Sequence, residues 1–205
     1  MRSHDSLTGL IADGEQVTDE PAAWPLASTE VLFDSTYMGL TLDVIEAPDG
    51  STHRRSVVRH GGAVGVVALD ADDRVLLVQQ YRHPVGQRLL ELPAGVLDVP
   101  GESRAEAAAR ELAEEADVVA AEWSSLGEAI PTPGYSSEQW EIFLATDLSP
   151  VPADQRTARE AEEADMVQLW LPFGEAIEAV FDGRITDAMT VIGLLQVHAR
   201  RTRTA

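Results

Sequence analysis

Glu111, Glu114 and Glu115 stand within five residues of one another in the run RELAEE, 110–115. At about 100° per residue, a helix here sets Glu111 and Glu115 about 40° apart, one turn above the other. Glu114 falls within about 100° of the same arc. Like charges at that spacing repel by roughly a few tenths of a kcal/mol on an exposed helix, and by more where the helix is half-buried. A cation between them removes that cost. Hard carboxylate oxygens on one face suit Mg²⁺ or Mn²⁺, with water and a substrate phosphate completing the shell. Alone, three acids on a helix are more often a solvated face than a metal site, and Arg110 beside Glu111 is an ordinary local ion pair. What separates the two readings is a longer frame in register: Gly95, Glu102, Arg110-Glu111, Leu112 and Glu114-Glu115.

The helix that must carry these acids has clear ends. Pro100-Gly101 makes a turn, Ser103 is the expected N-cap, and Glu106 three residues on completes a capping box. Ala105, Ala108, Ala109, Leu112 and Ala116 recur at helical spacing as a narrow stripe of small side chains, suited to close packing on a sheet. Glu111 and Glu115 border that stripe and are expected to be half-buried. Ahead of the helix, the runs EVLFDS, LTLDVIEA and RRSVVRH are separated by turn signals and read as a small antiparallel unit. GAVGVVALD and RVLLVQQYR, split by ADD, read as a hairpin of apolar strands. WSSLGEAI, QWEIFLATDL and VQLWLPF read as further strands, FGEAIEAVFDG as a helix stopped at Gly183, and TDAMTVIGLLQVHARR as a last helix capped by Thr186 or Asp187. Strands and helices are interspersed, so the fold class is α/β or α+β with mixed pairing. Residues 1 to 25 are polar and aperiodic and are expected to be poorly ordered.

Composition narrows the function classes. The chain of 205 residues carries 35 acidic and 15 basic side chains, a net charge of −20, which argues against binding nucleic-acid phosphates. Absence of cysteine removes thiolate catalysis, disulfides and cysteine-ligated metals. No run approaches the roughly 18 apolar residues needed to span a bilayer, and the first residues lack a signal-peptide pattern. A soluble, cytoplasmic protein without membrane or nucleic-acid partners is the expectation.

From Glu102 to Glu115 the frame resembles the Nudix box, with seven residues between Glu102 and Arg110. Six residues rather than five separate Gly95 from Glu102, an extra loop residue near Val99, and Asp117 stands where the box has Gly. An added loop residue is cheap, and Asp tolerates the left-handed conformation that Gly provides at a helix C-terminus. HRRSVVRHGGAVGVVALD, VLLVQQYRHPVGQRLLELPAG, PTPGYSSE and EEADM extend the likeness over most of residues 30–200, toward ADP-ribose pyrophosphatases of the actinobacterial type.

The resemblance implies a Nudix fold, mixed sheets between helices, over residues 60–205. It also implies an N-terminal β unit within residues 1–59 that helps form a homodimer, although a plain extension is the alternative. It implies Glu111 and Glu115 as main metal ligands, Glu114 assisting, the Ala94 carbonyl as a backbone ligand, and Glu102 as a brace or further ligand. Arg110 would orient the carboxylates. Glu163, or the adjacent Glu162, would activate the attacking water by taking its proton, or bind metal. Arg82 resembles the arginine that holds the diphosphate. Arg55, or its neighbour Arg54, resembles one that stacks on adenine across the dimer. Glu138, with Tyr135 and Ser136 nearby, resembles a ribose or adenosine contact. The implied reaction is Mg²⁺- or Mn²⁺-dependent hydrolysis of ADP-ribose to AMP and ribose 5-phosphate. Rival substrates on the same scaffold are other nucleoside diphosphate sugars and dinucleotides, among them GDP-mannose, NADH and FAD. A non-catalytic ADP-ribose-binding module would show a lost box acid or an added basic domain, and the sequence has neither.

Overall fold

The computed structural model describes residues 2–3, 7–14, 17–159 and 165–204. In chain order the elements are β1 (Arg2–Ser3), β2 (Leu10–Ile11), β3 (Leu26–Asp34), β4 (Met38–Glu46), β5 (Thr52–His60), β6 (Ala63–Ala68), β7 (Arg74–Arg82), β8 (Gln87–Glu91) and β9 (Ala94–Val96). Then follow α1 (Arg104–Ala116), β10 (Val118–Ala129), β11 (Trp140–Pro150), β12 (Val167–Pro172), α2 (Phe173–Phe181) and α3 (Ala188–Thr204). The mixed α/β class read from the sequence holds. Within the aperiodic first 25 residues, β1 and β2 form a two-residue antiparallel pair.

β6 is the spine. It pairs with β11 in parallel and β9 antiparallel, in a sheet ordered β10-β11-β6-β9. All six of its residues are buried, because each face is covered by a different helix. Val64, Val66 and Ala68 point to α1, packing with Ala107, Ala108, Leu112 and Phe143. Ala63 and Val67 point to α3, packing with Met189, Leu194 and Val197. A strand covered on both sides reads as a continuous apolar run rather than an alternating one.

The expected hairpin of β6 with β7 does not form. The two strands belong to different sheets, and across the turn at Asp70–Arg74 only the single bridge Leu69–Val75 joins them. Both edges of β6 are already taken, by β9 and β11, so β7 cannot pair with it. β7 pairs instead with β8 and β12. This second sheet, β12-β7-β8, carries Arg82 and Glu91 at the ends of neighbouring strands. β3, β4 and β5 form a third, antiparallel sheet, as the N-terminal runs predicted. It touches the rest of the molecule at Val58, whose N–H donates to the Tyr135 carbonyl and whose carbonyl accepts from Ser137.

α1 begins as expected. Ser103 accepts from the Glu106 N–H, and the Glu106 carboxylate accepts from the Ser103 N–H at 2.8 Å. It ends at Asp117 in the left-handed region, φ 55° and ψ 31°. The buried face differs from the stripe read from the sequence: Ala105 is exposed and Ala109 only half-buried, while Ala107 and Glu115 are buried. At about 100° per residue the buried arc of Ala107, Ala108, Leu112, Glu115 and Ala116 is centred close to Glu115. The helix is thus rolled to bring a carboxylate, beside Ala108, to the middle of its packed face.

Candidate active site

A cavity of about 530 Å³ opens where the acidic face of α1 meets the ends of β7, β8 and β9 and the start of α3. Seven carboxylates line it among the described residues, against two guanidiniums. The acids are Glu91, Asp98, Glu111, Glu114, Glu115, Glu138 and Asp187; the bases are Arg82 and Arg110.

Arg110 organises the near wall. Its Nε and Nη2 donate to both Glu102 oxygens at 3.0 Å each, and its Nη1 donates to Glu111 at 2.7 Å and Glu114 at 3.1 Å. Its pKa is raised, chiefly by the Glu102 hydrogen bonds and further by Glu111 and Glu114. Arg110 thus bonds three carboxylates at once, Glu102, Glu111 and Glu114. Glu102 is mostly buried and turned to Arg110 on both oxygens, the bracing place rather than the open-cavity one.

Glu111 is not fully neutralised by this neighbour. Burial raises its pKa, Arg110 counteracts, and Glu114 and Asp98 add to the rise. Its carboxylate lies directly over Gly95: a Cβ built there would collide with the Glu111 carboxyl group. Gly95 is therefore needed for lack of a side chain, and the glycine at the head of the box makes room for a carboxylate. Glu115 goes deeper, at 5% exposure, and accepts from the Ala94 N–H at 2.9 Å. Its own carbonyl, an orphan at the helix end, accepts from Gln168 Nε2 at 3.1 Å.

On the far wall, Arg82 forks onto Glu91, with Nε at 2.9 Å from one oxygen and Nη2 at 2.7 Å from the other. Those hydrogen bonds raise the Arg82 pKa, with smaller contributions from Glu115 and Asp187. Gln80 donates to the same Glu91. Glu138 lines the cavity rim, accepting from Trp140 Nε1 at 2.8 Å with His60 Nδ1 at 3.7 Å.

The cavity thus gathers Ala94, Arg82, Arg110, Glu111, Glu114, Glu115 and Glu138 from the residues read in the sequence. Tyr135, exposed, and Ser136, whose hydroxyl accepts from the Glu138 N–H at 3.1 Å, stay outside its lining; they shape the turn that presents Glu138. Arg55 is exposed on β5, its Nη1 donating to the Arg54 carbonyl, and neither lines this chain's cavity. Glu162 and Glu163 lie outside the described residues. Glu91, Asp98, His60 and Asp187 were missed as site residues. Glu91 had a visible signal, a lone acid in the apolar run LLELPAG. Asp187 was read as a helix cap, which it is, accepting from the Thr190 N–H at 2.9 Å, while also facing the cavity.

Among the described residues, no three acidic or histidine side chains are drawn together closely enough to hold a metal ion. Arg110 stands between the carboxylates as their counterion. The donor set nonetheless fits a hard divalent cation: Glu111, Glu114 and Glu115 on one helix face, a carboxylate whose burial leaves it short of countercharge, and a glycine that clears space for it.

A family model described as NUDIX domain matches residues 59–189. The chain belongs to the Nudix family. Its relatives include an ADP-ribose pyrophosphatase of Mycobacterium tuberculosis (strain ATCC 25618 / H37Rv), 42% identical over 175 residues, 85% of this chain and 83% of that protein. An ADP-ribose pyrophosphatase of Bacillus subtilis (strain 168) is 30% identical over 165 residues, 80% of this chain and 87% of that protein. The Nudix architecture is also seen in a solved structure of an ADP compounds hydrolase. It superposes with a TM-score of 0.75 at 23% identity, over 92% of this chain and 99% of that one. That likeness speaks to the fold. No helix among the described residues of this Nudix protein is long and apolar enough to cross a membrane.

Proposed function

We propose that this Nudix protein is a hydrolase that cleaves the diphosphate of ADP-ribose, giving AMP and ribose 5-phosphate, with Mg²⁺ or Mn²⁺ as cofactor. The observation that carries the reading is the charge of the cavity, seven carboxylates against two guanidiniums. A diphosphate cannot enter such a site without cations to bridge the like charges. Glu111, Glu114 and Glu115 would hold them, with the Ala94 carbonyl as a further ligand. When bound, a divalent ion neutralises the diphosphate and acidifies a water molecule.

The chain's own groups supply the rest. Arg110 and Glu102 keep the carboxylates in place. Arg82, once it shares its fork with a phosphate, grips the diphosphate with paired hydrogen bonds. Water attacks one phosphorus, the bridging P–O bond breaks, and Glu163, or Glu162 beside it, takes the water's proton. Glu138 contacts the ribose or adenosine end, with Tyr135 and Ser136 holding its turn.

Residues 60–205 form the catalytic domain, and the N-terminal β unit within residues 1–59 pairs two copies of the chain. The exposed apolar side chains of β3 support that dimer, as does Arg55, which is exposed and does not line its own cavity. In the dimer Arg55 would reach the partner's nucleotide.

The test is turnover by the purified protein with Mg²⁺ or Mn²⁺ across ADP-ribose, GDP-mannose, NADH and FAD. AMP release from ADP-ribose, fastest of the four and stopped by a chelator, is expected. Intact ADP-ribose beside cleavage of another member moves the substrate while keeping the reaction.

A further inference from the structure

Asp117 is the box position where this chain departs from the family pattern, and a glycine's freedom of backbone is all that position requires. Asp117 meets that requirement with φ 55°, and its N–H closes α1 on the Ala113 carbonyl at 3.1 Å. A side chain there is free to do something else. Its carboxylate accepts from Arg159 Nη2 at 2.6 Å, across 42 residues of sequence, with both side chains four-fifths buried. Its carbonyl accepts from the Val151 N–H at 2.8 Å, and the Val151 carbonyl accepts from Arg156 Nε at 3.2 Å. The Glu115 end of α1 is held from the other side by Gln168, through the 3.1 Å hydrogen bond to the Glu115 carbonyl. The last turn of the acidic helix is therefore tied to two segments at once, 151–159 and the start of β12.

We propose that Asp117 and Arg159 are a positioning pair for the hydrolysis, resting on the function proposed above: together they fix the Glu115-bearing turn of α1 to segment 151–159. Three lines converge on this role. The pair is the only ion pair among the described residues that joins the α1 C-terminus to that segment at hydrogen-bond distance. It sits two residues from Glu115, which faces the cavity. It also fixes the chain at Arg159, three and four residues before Glu162 and Glu163 in the sequence. The acids of α1 and segment 151–159 come from distant parts of the chain, and this pair fixes that segment against the turn that bears Glu115. A misplacement of such groups costs rate more than it costs binding.

The experiment compares Asp117→Gly, Arg159→Ala, the double variant and Arg159→Lys in ADP-ribose hydrolysis at saturating Mg²⁺. Thermal midpoint and amide exchange of peptides from α1 and 151–159 are measured alongside. Asp117→Gly is the informative change, because glycine fits φ 55° and keeps the helix cap. Each of the first two variants should lose about tenfold in kcat with KM within about twofold, and the double variant should lose no more than either single one. Arg159→Lys should recover part of the loss, and exchange in the last turn of α1 and in 151–159 should quicken without a lower thermal midpoint in Asp117→Gly. An Asp117→Gly kcat within about twofold of wild type, or losses that multiply in the double variant, overturns the proposal. If the wild-type protein leaves ADP-ribose intact, the substrate reading fails by itself. Exchange rates unchanged in both single variants then overturn the pairing independently of activity.

Discussion

α1 and β3 treat their side chains in opposite ways. α1 buries Glu115 to 5% exposure in the middle of its packed face, beside Ala107, Ala108 and Leu112 at none. β3 leaves all nine of its residues exposed, with Val31 at 65% and Phe33 at 53%. A buried carboxylate and an exposed apolar strand are both uphill in an isolated chain. Each is understandable as half of an interface. The acids of α1 face a cavity rich in other acids, and in the function proposed above a divalent cation would offset them. The apolar side chains of β3 face outward along an unpaired strand edge, which natural proteins ordinarily guard, and in the dimer proposed above a second protein surface would cover them. The difference sets two tests: for a small hard ion at the α1 acids, and for a second chain on β3.

The largest effect should come from removing a charge on the α1 side. Glu115→Gln keeps the shape of the side chain and can still accept from the Ala94 N–H, so the fold should persist. Loss of the charge should cut AMP release from ADP-ribose by roughly 10³-fold, on the scale of deleting a principal electrostatic group. Circular dichroism and turnover together read this. A variant that keeps more than a tenth of wild-type activity would mean that α1 buries Glu115 for packing alone.

The legibility of the two regions also differed, for a physical reason. On α1 the sequence carried nearly everything: the Ser103–Glu106 box, the acids in register and the left-handed Asp117 are all local, set by spacing of three, four and seven residues along one chain. Most of the misses were non-local. β6 and β7 read as a hairpin because a short turn between apolar runs usually makes one, and nothing local says that β9 and β11 already occupy both edges of β6. Asp187 reaches the cavity from the start of α3, over a hundred residues after Arg82, so only the fold brings it there; Glu91, nine residues from Arg82 on the next strand, was within local reach. Asp117 was legible as a cap but its partner Arg159 was not, since no periodicity links positions 42 residues apart.

The β3 half of the comparison breaks next. Val31→Asp with Phe33→Asp puts two carboxylates on an exposed strand, where the isolated chain should tolerate them. If β3 is an interface, burying two unpaired charges should weaken association by about 2 kcal/mol or more per anchor, roughly a thousandfold together at 1.4 kcal/mol per decade. Sedimentation should then report a dimer for the wild type and a monomer for the variant, with unchanged circular dichroism. A wild type that sediments as a monomer at micromolar concentration would leave β3 without a partner and withdraw Arg55 from the site.

The smallest effect concerns what α1 costs in the absence of its cation. Burial raises the Glu111 pKa above its ordinary value despite Arg110. Folding the metal-free protein therefore disfavours the charged form of Glu111 relative to the unfolded chain, so this group's contribution to stability is intact below about pH 4.5, the unfolded value, and is lost as pH rises through the folded one. Glutamine mimics the protonated form at every pH. Metal-free Glu111→Gln should accordingly melt a few degrees above wild type at pH 7, and the two melting curves should converge as the pH falls below 4.5. Adding Mg²⁺ or Mn²⁺ should reverse the order at pH 7, because the cation stabilises only the chain that offers it the full charge. Thermal scans with and without a chelator measure both. A glutamine variant less stable than wild type at pH 7 without metal would show that Arg110 alone satisfies Glu111, and that the crowded acids of α1 need no cation to be buried.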